Sequence, residues 1–556
     1  MMSAQKLRLG LLLDSFEVPA WLYHSLELIA NSDYAEFSLI IINDSNEQDK
    51  SESWFHNLWR NRREFAYKIF NSIDERIFVR GPNAQETKDL NKLLVRVPTI
   101  TIRPKKDVKS GVIKPDPDKI LEDYELDILI KVGGGQFRGE LIGAAKYGIW
   151  FYQHKDNRIE LEGPTGFWEV VENRPDTGAT LLNANQHSKN GWAVYRSSFS
   201  TYPYSPARNR NISLWASCSF LPRQIDLLYR LGDARFFQET NKFNSDFNFD
   251  DRKISRIPSN LDALWLYTKL CLRNIFELYR RLFRLESWYL MFDFSEKSSL
   301  SFANFKKIMP PKDRFWADPH IIMKGDQYFI FIEEFIYKKN KGHISVIEMD
   351  VDGHYKAPFT VLETDYHLSY PFVFESANQY FMVPESAQNH SIDLYECVTF
   401  PNQWKFKMHL MDNVIARDST LFFHLGKWWL FTGITENAGA EPEVELFLFY
   451  SDDLFSSEWK HHPLNPIISD VTCARPAGKL FKMGGKIYRP SQDCSKTFGY
   501  GFNINEILCL SETDYLEKKV VSVRPNWDRR LIATHTFSRE EGLNLVDVLI
   551  RRSKLF

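Results

Sequence analysis

FWADPHIIMKGDQYFIFIEE, residues 315–334, sets Asp318 at the head of an apolar strand, turns through Lys324-Gly325-Asp326, and returns as a second apolar strand from Tyr328 to Ile332. Two short apolar strands joined by a glycine turn read as a β-hairpin. The pattern recurs as SYPFVFESANQYFMVPES (369–386), ARDSTLFFHLGKWWLFTG (416–433), ARPAGKLFKMGGKIYRPSQ (474–492) and ATHTFSREEGLNLVDVL (533–549). Successive strand starts at Asp318, Pro371, Asp418, Arg475 and His535 lie 53, 47, 57 and 60 residues apart. A period of about 50 residues with several strands per unit indicates a β-propeller, here of five blades over 286–556. The last copy ends too early for four strands, so Trp288–Phe294, ahead of the first copy, is expected to complete the fifth blade and close the ring.

Inner strands of a propeller converge on its axis, so residues at their starts gather at one end. Asp318, Tyr370, Pro371, Asp418, Arg475 and His535 are placed there, with Glu333, Glu334, Glu385, Arg489, Gln492 and Asp493 added from second strands. Carboxylates, arginines and a histidine from five blades suit a sugar or polyol. Arg475 and Arg489 point to an anionic ligand such as a diphosphate or uronate, or else hold salt bridges between blades.

The Asp-Pro of Ala317-Asp318-Pro319 and the Arg-Asp of Arg417-Asp418 resemble the five-bladed glycosidases of the arabinanase/xylosidase and invertase groups. That resemblance implies Asp318 as base or nucleophile and Asp418 as an orienting carboxylate. Where an acid glutamate is expected the chain has Ala474-Arg475-Pro476, which leaves Glu385 as substitute acid, with Asp493 or Glu334 behind it. FWADPH (315–320), PES with IDLYE (384–396), FPNQW (400–404), KWWLFTG (427–433) and RPAG with YRPSQDCS (475–495) are similar to the amino-terminal propeller of plant glucosamine inositolphosphorylceramide transferases. This likeness over about 290–552 implies a glycan or glycolipid setting, with Trp316 among the residues lining the site.

Before the propeller, strand-like runs (7–13, 37–42, 127–132) alternate with helical spacing (19–30, 53–71), which implies an α/β domain with a parallel sheet over 1–210. The order DILIKVGGGQFRGELIGAAKYGIWFYQH (127–154), GPTGFWEVVENRPDTGATLL (163–182) and NGWAVYRSSF (190–199) resembles the formyltransferase fold of methionyl-tRNA and sugar N-formyltransferases. Their Asn-x-His pair aligns with Tyr152-Gln153-His154 and their aspartate with Lys189-Asn190-Gly191, so formyl transfer is not expected. His154, with Asp156 and Arg158, is retained as a candidate anion or sugar ligand. Gly133-Gly134-Gly135 does not form a GxGxxG fingerprint.

Residues 205–250 read as domain edge and linker, with a strand at Leu214–Phe220. From 260 to 285 Leu261, Leu264, Trp265, Tyr267, Leu272, Ile275, Phe276, Tyr279 and Phe283 alternate with arginines, which marks an amphipathic helix. Such a helix either packs its apolar face on a domain or lies on an anionic membrane.

A formal net charge of −2 argues against a nucleic-acid partner. Six cysteines without CxxC or zinc spacing, a short apolar start and no long apolar run suggest a cytoplasmic chain. No cofactor or metal is expected; Asp350-Val-Asp352 reads as a blade turn, and a nucleotide sugar is the candidate donor. Three functions follow: a glycosyl-transferring or transglycosidase-like enzyme of surface-polysaccharide or glycolipid assembly, a carbohydrate-binding scaffold built from degenerate enzyme domains, and a sugar N-formyltransferase.

Overall fold

A computed structural model describes residues 5–43, 62, 64–102, 123–133, 141, 143–154, 163–185, 188–244, 257–294, 302–437 and 439–554. The chain divides into two compact units, one of residues 1–197, 201–273 and 437–440, the other of 198–200, 274–436 and 441–556.

The first unit is built on a seven-stranded sheet. Its strands are β1 (Leu7–Leu13), β2 (Ala35–Asn43), β3 (Thr99–Ile102), β4 (Ile128–Lys131), β5 (Ile149–Gln153), β6 (Asp176–Asn185) and β7 (Ser188–Ser200), in the order β3-β2-β1-β4-β5-β6-β7. Pairing is parallel from β3 to β5. It turns antiparallel between β5 and β6, so the sheet is mixed where a parallel one was expected. A strand buried on both faces carries the same apolar run in either direction, which is why the reversal is silent in sequence.

Helices α1 (Ala20–Ala30), α2 (Phe65–Phe78), α3 (Phe167–Val171), α4 (Pro206–Ser217), α5 (Phe220–Leu231) and α6 (Asp233–Thr240) belong to this unit. Of the helix expected over 53–71, residues 53–61 and 63 lie outside the described residues. The expected strand at 214–220 is instead the end of α4 and the start of α5. Pro206 opens α4, and the Ser205 hydroxyl accepts the N–H of Arg208. The polar composition of α4 reflects work inside the unit. Asn209 Nδ2 donates to Gly166 O and Thr177 Oγ1, both at 3.0 Å, and Asn211 Oδ1 accepts Ala84 N–H at 2.7 Å. The unit therefore continues through the expected linker to Arg273.

Helix α7 (Asn260–Phe283) buries Ala263, Leu266, Tyr267 and Leu270 against Tyr67 of α2 and Phe167 and Val170 of α3. It thus packs one side on the first unit, as one of the two readings expected, while Leu264, Trp265, Leu272, Phe276, Tyr279 and Phe283 are exposed.

The second unit is a five-bladed β-propeller. Four blades are four-stranded in chain order, beginning with Arg314–Lys324, Ser369–Ser376, Ala416–His424 and Phe481–Met483, the third carrying an extra short strand. The fifth takes Leu531–Ala533, Phe537–Glu540 and Leu543–Ser553 from the C-terminal end of the chain and Arg284–Phe294 and Lys306–Ile308 from ahead of the first blade. Arg284–Phe294 pairs antiparallel with Leu543–Ser553 over its whole length, from Arg284↔Ser553 to Phe294↔Leu543. The ring is thus fastened as the sequence suggested, by a strand that starts four residues earlier than Trp288. Hydrophobic clusters such as Leu290, Trp316, Ile330 and Leu545 fill the space between neighbouring blades.

Candidate active site

Three blades open with the same deformation. Register slips at Ala317/His320, Ser369/Phe372 and Arg417/Thr420, and the bulged residues Asp318, Tyr370 and Asp418 have φ of 51°, 42° and 48°. Positive φ is strained for side chains of this kind, so the bulges need support. Carboxylates supply it by accepting the bulge amides: Asp318 N–H goes to Asp547 Oδ2 at 3.0 Å, Tyr370 N–H to Asp318 Oδ2 at 3.2 Å, and Asp418 N–H to Glu385 Oε2 at 3.3 Å. Two of the bulges themselves carry carboxyls, Asp318 and Asp418, and both are buried in the site.

Two linked clusters result, both buried. In the first, His535 Nε2 lies 3.1 Å from Asp318 Oδ1 and Nδ1 3.0 Å from Asp547 Oδ2, while the Thr536 hydroxyl donates to Asp318 Oδ1 at 2.9 Å. Burial opposes a charge on His535, but Asp547 and Asp318 outweigh it and raise the imidazole to about 10. Burial likewise opposes ionisation of Asp318, and the His535 charge overcomes it, holding the carboxyl at about 2.

In the second cluster, Arg475 Nε donates to Asp418 Oδ2 at 2.6 Å, and its other nitrogens lie 3.4 Å from Glu385 Oε2 and Glu443 Oε1. Arg417 donates to Glu385 Oε1 at 2.5 Å, and Gln492 Nε2 to Asp418 Oδ2 at 2.8 Å. Burial works against Glu385, yet Arg475 and Arg417 depress its pKa. Arg475 is held charged against burial by Asp418, Glu385 and Glu443. Phe498 covers its guanidinium at 4.8 Å and meets the His535 ring edge-on at 5.3 Å.

Fully ionised, the six carboxyls of Asp318, Glu333, Glu385, Asp418, Glu443 and Asp547 would outnumber the three cations His535, Arg417 and Arg475. Burial, then neighbouring carboxylates, raise Glu333 well above the usual range, and burial raises Asp418 and Glu443 against the pull of Arg475. Glu333 has no guanidinium partner; His367, whose Nδ1 accepts Gly342 N–H, places Nε2 3.5 Å from Glu333 Oε1. Glu333, raised, and Asp318, lowered, are two carboxyls whose surroundings push their pKa values apart.

Among the residues named from sequence, Asp318, Asp418, Glu385, Arg475 and His535 come together here. Others lie elsewhere. Glu334 projects to the opposite face of its strand from Glu333 and is saturated by Arg314 (3.0 Å), Trp316 Nε1 (3.1 Å), His343 (3.1 Å) and the Ser345 hydroxyl (2.7 Å). Burial raises its pKa, but His343, Ser345, Arg314 and Trp316 together bring it down to about 2. Trp316 is thereby a partner of Glu334, away from the axial cluster. Arg489, fully buried, forms a two-pronged pair with Glu517 at 2.8 Å and donates to Cys473 O. Asp493 is paired with Arg524 at 2.5 Å and accepts the Ser495 hydroxyl at 2.6 Å. Arg475 thus faces three carboxyls and Arg489 pairs with Glu517, so both guanidiniums have carboxylate partners within the propeller.

Glu333 was placed at the axis only in company with Glu334; Glu443 and Asp547 were not singled out. Asp547 had a signal, a lone acid inside the apolar run LNLVDVLI (543–550). Glu443 sits between strands and had none.

In the first unit, His154 Nε2 lies 2.8 Å from Ser217 Oγ, its ring stands edge-on to Trp21 at 5.0 Å, and burial lowers it to about 4. Neutral at pH 7, it carries no charge for an anion. It lines a cavity of about 90 Å³ with Gln153, Trp168 and Glu169; Asp156 and Arg158 lie outside the described residues.

Two groups, Asp318/His535/Asp547 and Asp350/Asp352/His354, bring ligand-type atoms within 4.8 Å of one another. In the first, the two ring nitrogens of His535 lie 3.1 and 3.0 Å from the Asp318 and Asp547 carboxyls. In the second, Asp350 Oδ1 accepts the N–H groups of Asp352 and His354 at 3.0 and 2.8 Å, a turn closed on its own backbone.

Residues 300–535 match the family described as "Glucosamine inositolphosphorylceramide transferase 1, N-terminal". Glucosamine inositolphosphorylceramide transferase 1 of Oryza sativa subsp. japonica is 35% identical over 209 residues, 37% of this chain and 28% of the relative. The Arabidopsis thaliana protein is 32% identical over 209 residues, 37% of this chain and 27% of its own length. Among solved structures, the catalytic domain of a Coprinopsis cinerea GH62 α-L-arabinofuranosidase superposes with TM-score 0.33 and 11% identity, covering 48% of this chain and 98% of that one. An exo-1,5-α-L-arabinanase from a bovine ruminal metagenomic library gives TM-score 0.31 and 13% identity, over 43% and 94%. The chain is thus similar, through its propeller, to the amino-terminal part of the plant transferases, and it spans little more than a quarter of their length.

Proposed function

We propose that this chain is a glycan-active protein that transfers glycosyl groups in glycolipid or surface-polysaccharide assembly, with its site on the propeller axis. The observation that carries the reading is the buried gathering of Asp318, Glu385, Asp418, Arg475 and His535 from separate blades, with Glu333 raised and Asp318 lowered in pKa within it. Likeness to the plant transferases supplies the glycan context. Glu333 would protonate the leaving oxygen, Asp318 would take the acceptor's proton, and the Asp418–Arg475–Glu385 network would orient the sugar hydroxyls. A nucleotide sugar is the donor this reading favours.

The test incubates the chain with nucleotide sugars and glycolipid or oligosaccharide acceptors and detects new glycosides by mass spectrometry. Turnover lost in Asp318→Asn and Glu333→Gln supports the assignment; turnover unchanged in both removes it.

A second reading, a carbohydrate-binding scaffold, is favoured by one observation: Asp318 is already satisfied by His535, Thr536 and the Tyr370 N–H, and Glu385, Asp418 and Arg475 bond to one another. Binding without turnover, unchanged by either substitution, would decide for it.

A further inference from the structure

Helix α7 packs on the first unit with its narrower side and leaves its wider apolar side in water. Trp265, Leu272, Phe276, Tyr279 and Phe283, spaced by seven, four, three and four residues, share one face, with Leu264 at its edge. All are exposed, Trp265 at 63% and Phe276 at 66%. At a rise of about 1.5 Å per residue this stripe is roughly 30 Å long, longer than the scattered apolar residues normal on a monomer's surface. The neighbouring α2, which stacks Phe70 on Tyr267, also exposes Phe65, Ile69, Ile73 and Ile77.

Charge around the stripe selects what covers it. Lys269, Arg281 and Arg284 are exposed along the helix and just beyond its end. Four cations of the helix, Lys269, Arg273, Arg280 and Arg281, stand against two acids, Asp262 and the buried Glu277, which pairs with Arg280 and Arg281. The net charge of the helix is therefore positive. A second copy of this face would set cations against cations, whereas an anionic lipid surface complements them. Trp265 and Tyr279 have the amphipathic rings that settle at a headgroup boundary, and the long basic side chains reach back to phosphate. No described helix is long and apolar enough to cross a membrane.

We infer that α7 is a membrane-surface helix that seats the chain on anionic lipid through its Trp265–Phe283 face. The apolar stripe enters the acyl boundary, and Lys269, Arg281 and Arg284 meet the headgroups. This inference stands apart from the axial site.

The experiment is co-sedimentation of the full chain with vesicles of phosphatidylcholine alone or with about a third phosphatidylserine, in low and high salt, alongside sedimentation velocity without lipid. Each basic residue at such a surface contributes about a fivefold factor in binding. Binding to the anionic vesicles, weakened by salt and by Lys269→Glu/Arg281→Glu, and abolished by Phe276→Asp/Tyr279→Asp at unchanged melting temperature, is the expected result. Failure to sediment with either vesicle, or sedimentation indifferent to Phe276→Asp/Tyr279→Asp, overturns the inference. So does a lipid-indifferent dimer that Phe276→Asp/Tyr279→Asp dissociates, which would make the face a contact between copies.

Discussion

The carboxylate of Asp318 accepts the backbone N–H of Tyr370 at 3.2 Å, so the candidate base of the first blade also holds the strained bulge that opens the second. Position and ionisation of Asp318 are thus built into the ring. Asp318→Ala, which strands His535 and the Tyr370 amide in a buried site, is expected to cost about 3–5 kcal/mol. Asp318→Asn, which keeps an acceptor, should cost less than half of that. Calorimetric melting of the two variants checks the ranking; equal losses would mean that the amide bond is irrelevant to the bulge.

His535 makes the ring sensitive to alkali. Its folded pKa, about 10, lies above the ordinary histidine value of 6.5. The stabilisation is therefore fully present below pH 6.5 and lost as pH rises through 10. Denaturation profiles should show stability falling over that window in the wild type, and a flatter profile in His535→Gln.

Neighbouring glutamates should behave oppositely. Burial and the neighbouring carboxylates favour the protonated form of Glu333, so Glu333→Gln should change melting little while removing the proposed acid. Glu334 is ionised and bonded to four side chains, and Glu334→Gln is expected to cost about 2–4 kcal/mol. Its folded pKa of about 2 lies below the ordinary 4.5, so its contribution is present above pH 4.5 and lost as pH falls through 2.

Arg489 gives a structural control. Arg489→Met leaves Glu517 without its partner and should destabilise by about 3–5 kcal/mol, and Glu517→Leu on top should recover most of it. Melting of the single and double variants measures the recovery, and glycan binding should be unchanged in a double variant that melts normally.

The propeller was legible because its hairpins repeat and its closing strand is apolar on both sides of the ring. So were the bulge residues Asp318 and Asp418, which stand at strand starts. Glu333 and Glu334 were not separable, since a period of two fixes which one faces the axis only when the register is known, and the bulge at Asp318 shifts that register. Arg489 failed for a related reason: its position along the strand is the expected one, but its side chain lies between Ala474 O and Glu517. Helices α4 to α6 were missed because their polar residues bond within the unit, where composition alone suggests a solvated linker.

The most direct measurement is thermal shift of the full chain with nucleotide sugars and with neutral oligosaccharides, repeated for Glu333→Gln and Asp318→Asn. A bound ligand raises the melting temperature by mass action. The account expects a nucleotide sugar to raise it in the wild type and in Glu333→Gln, where turnover is lost, and to do so far less in Asp318→Asn. A shift equal in all three proteins, or none with any sugar, would contradict an axial glycan site.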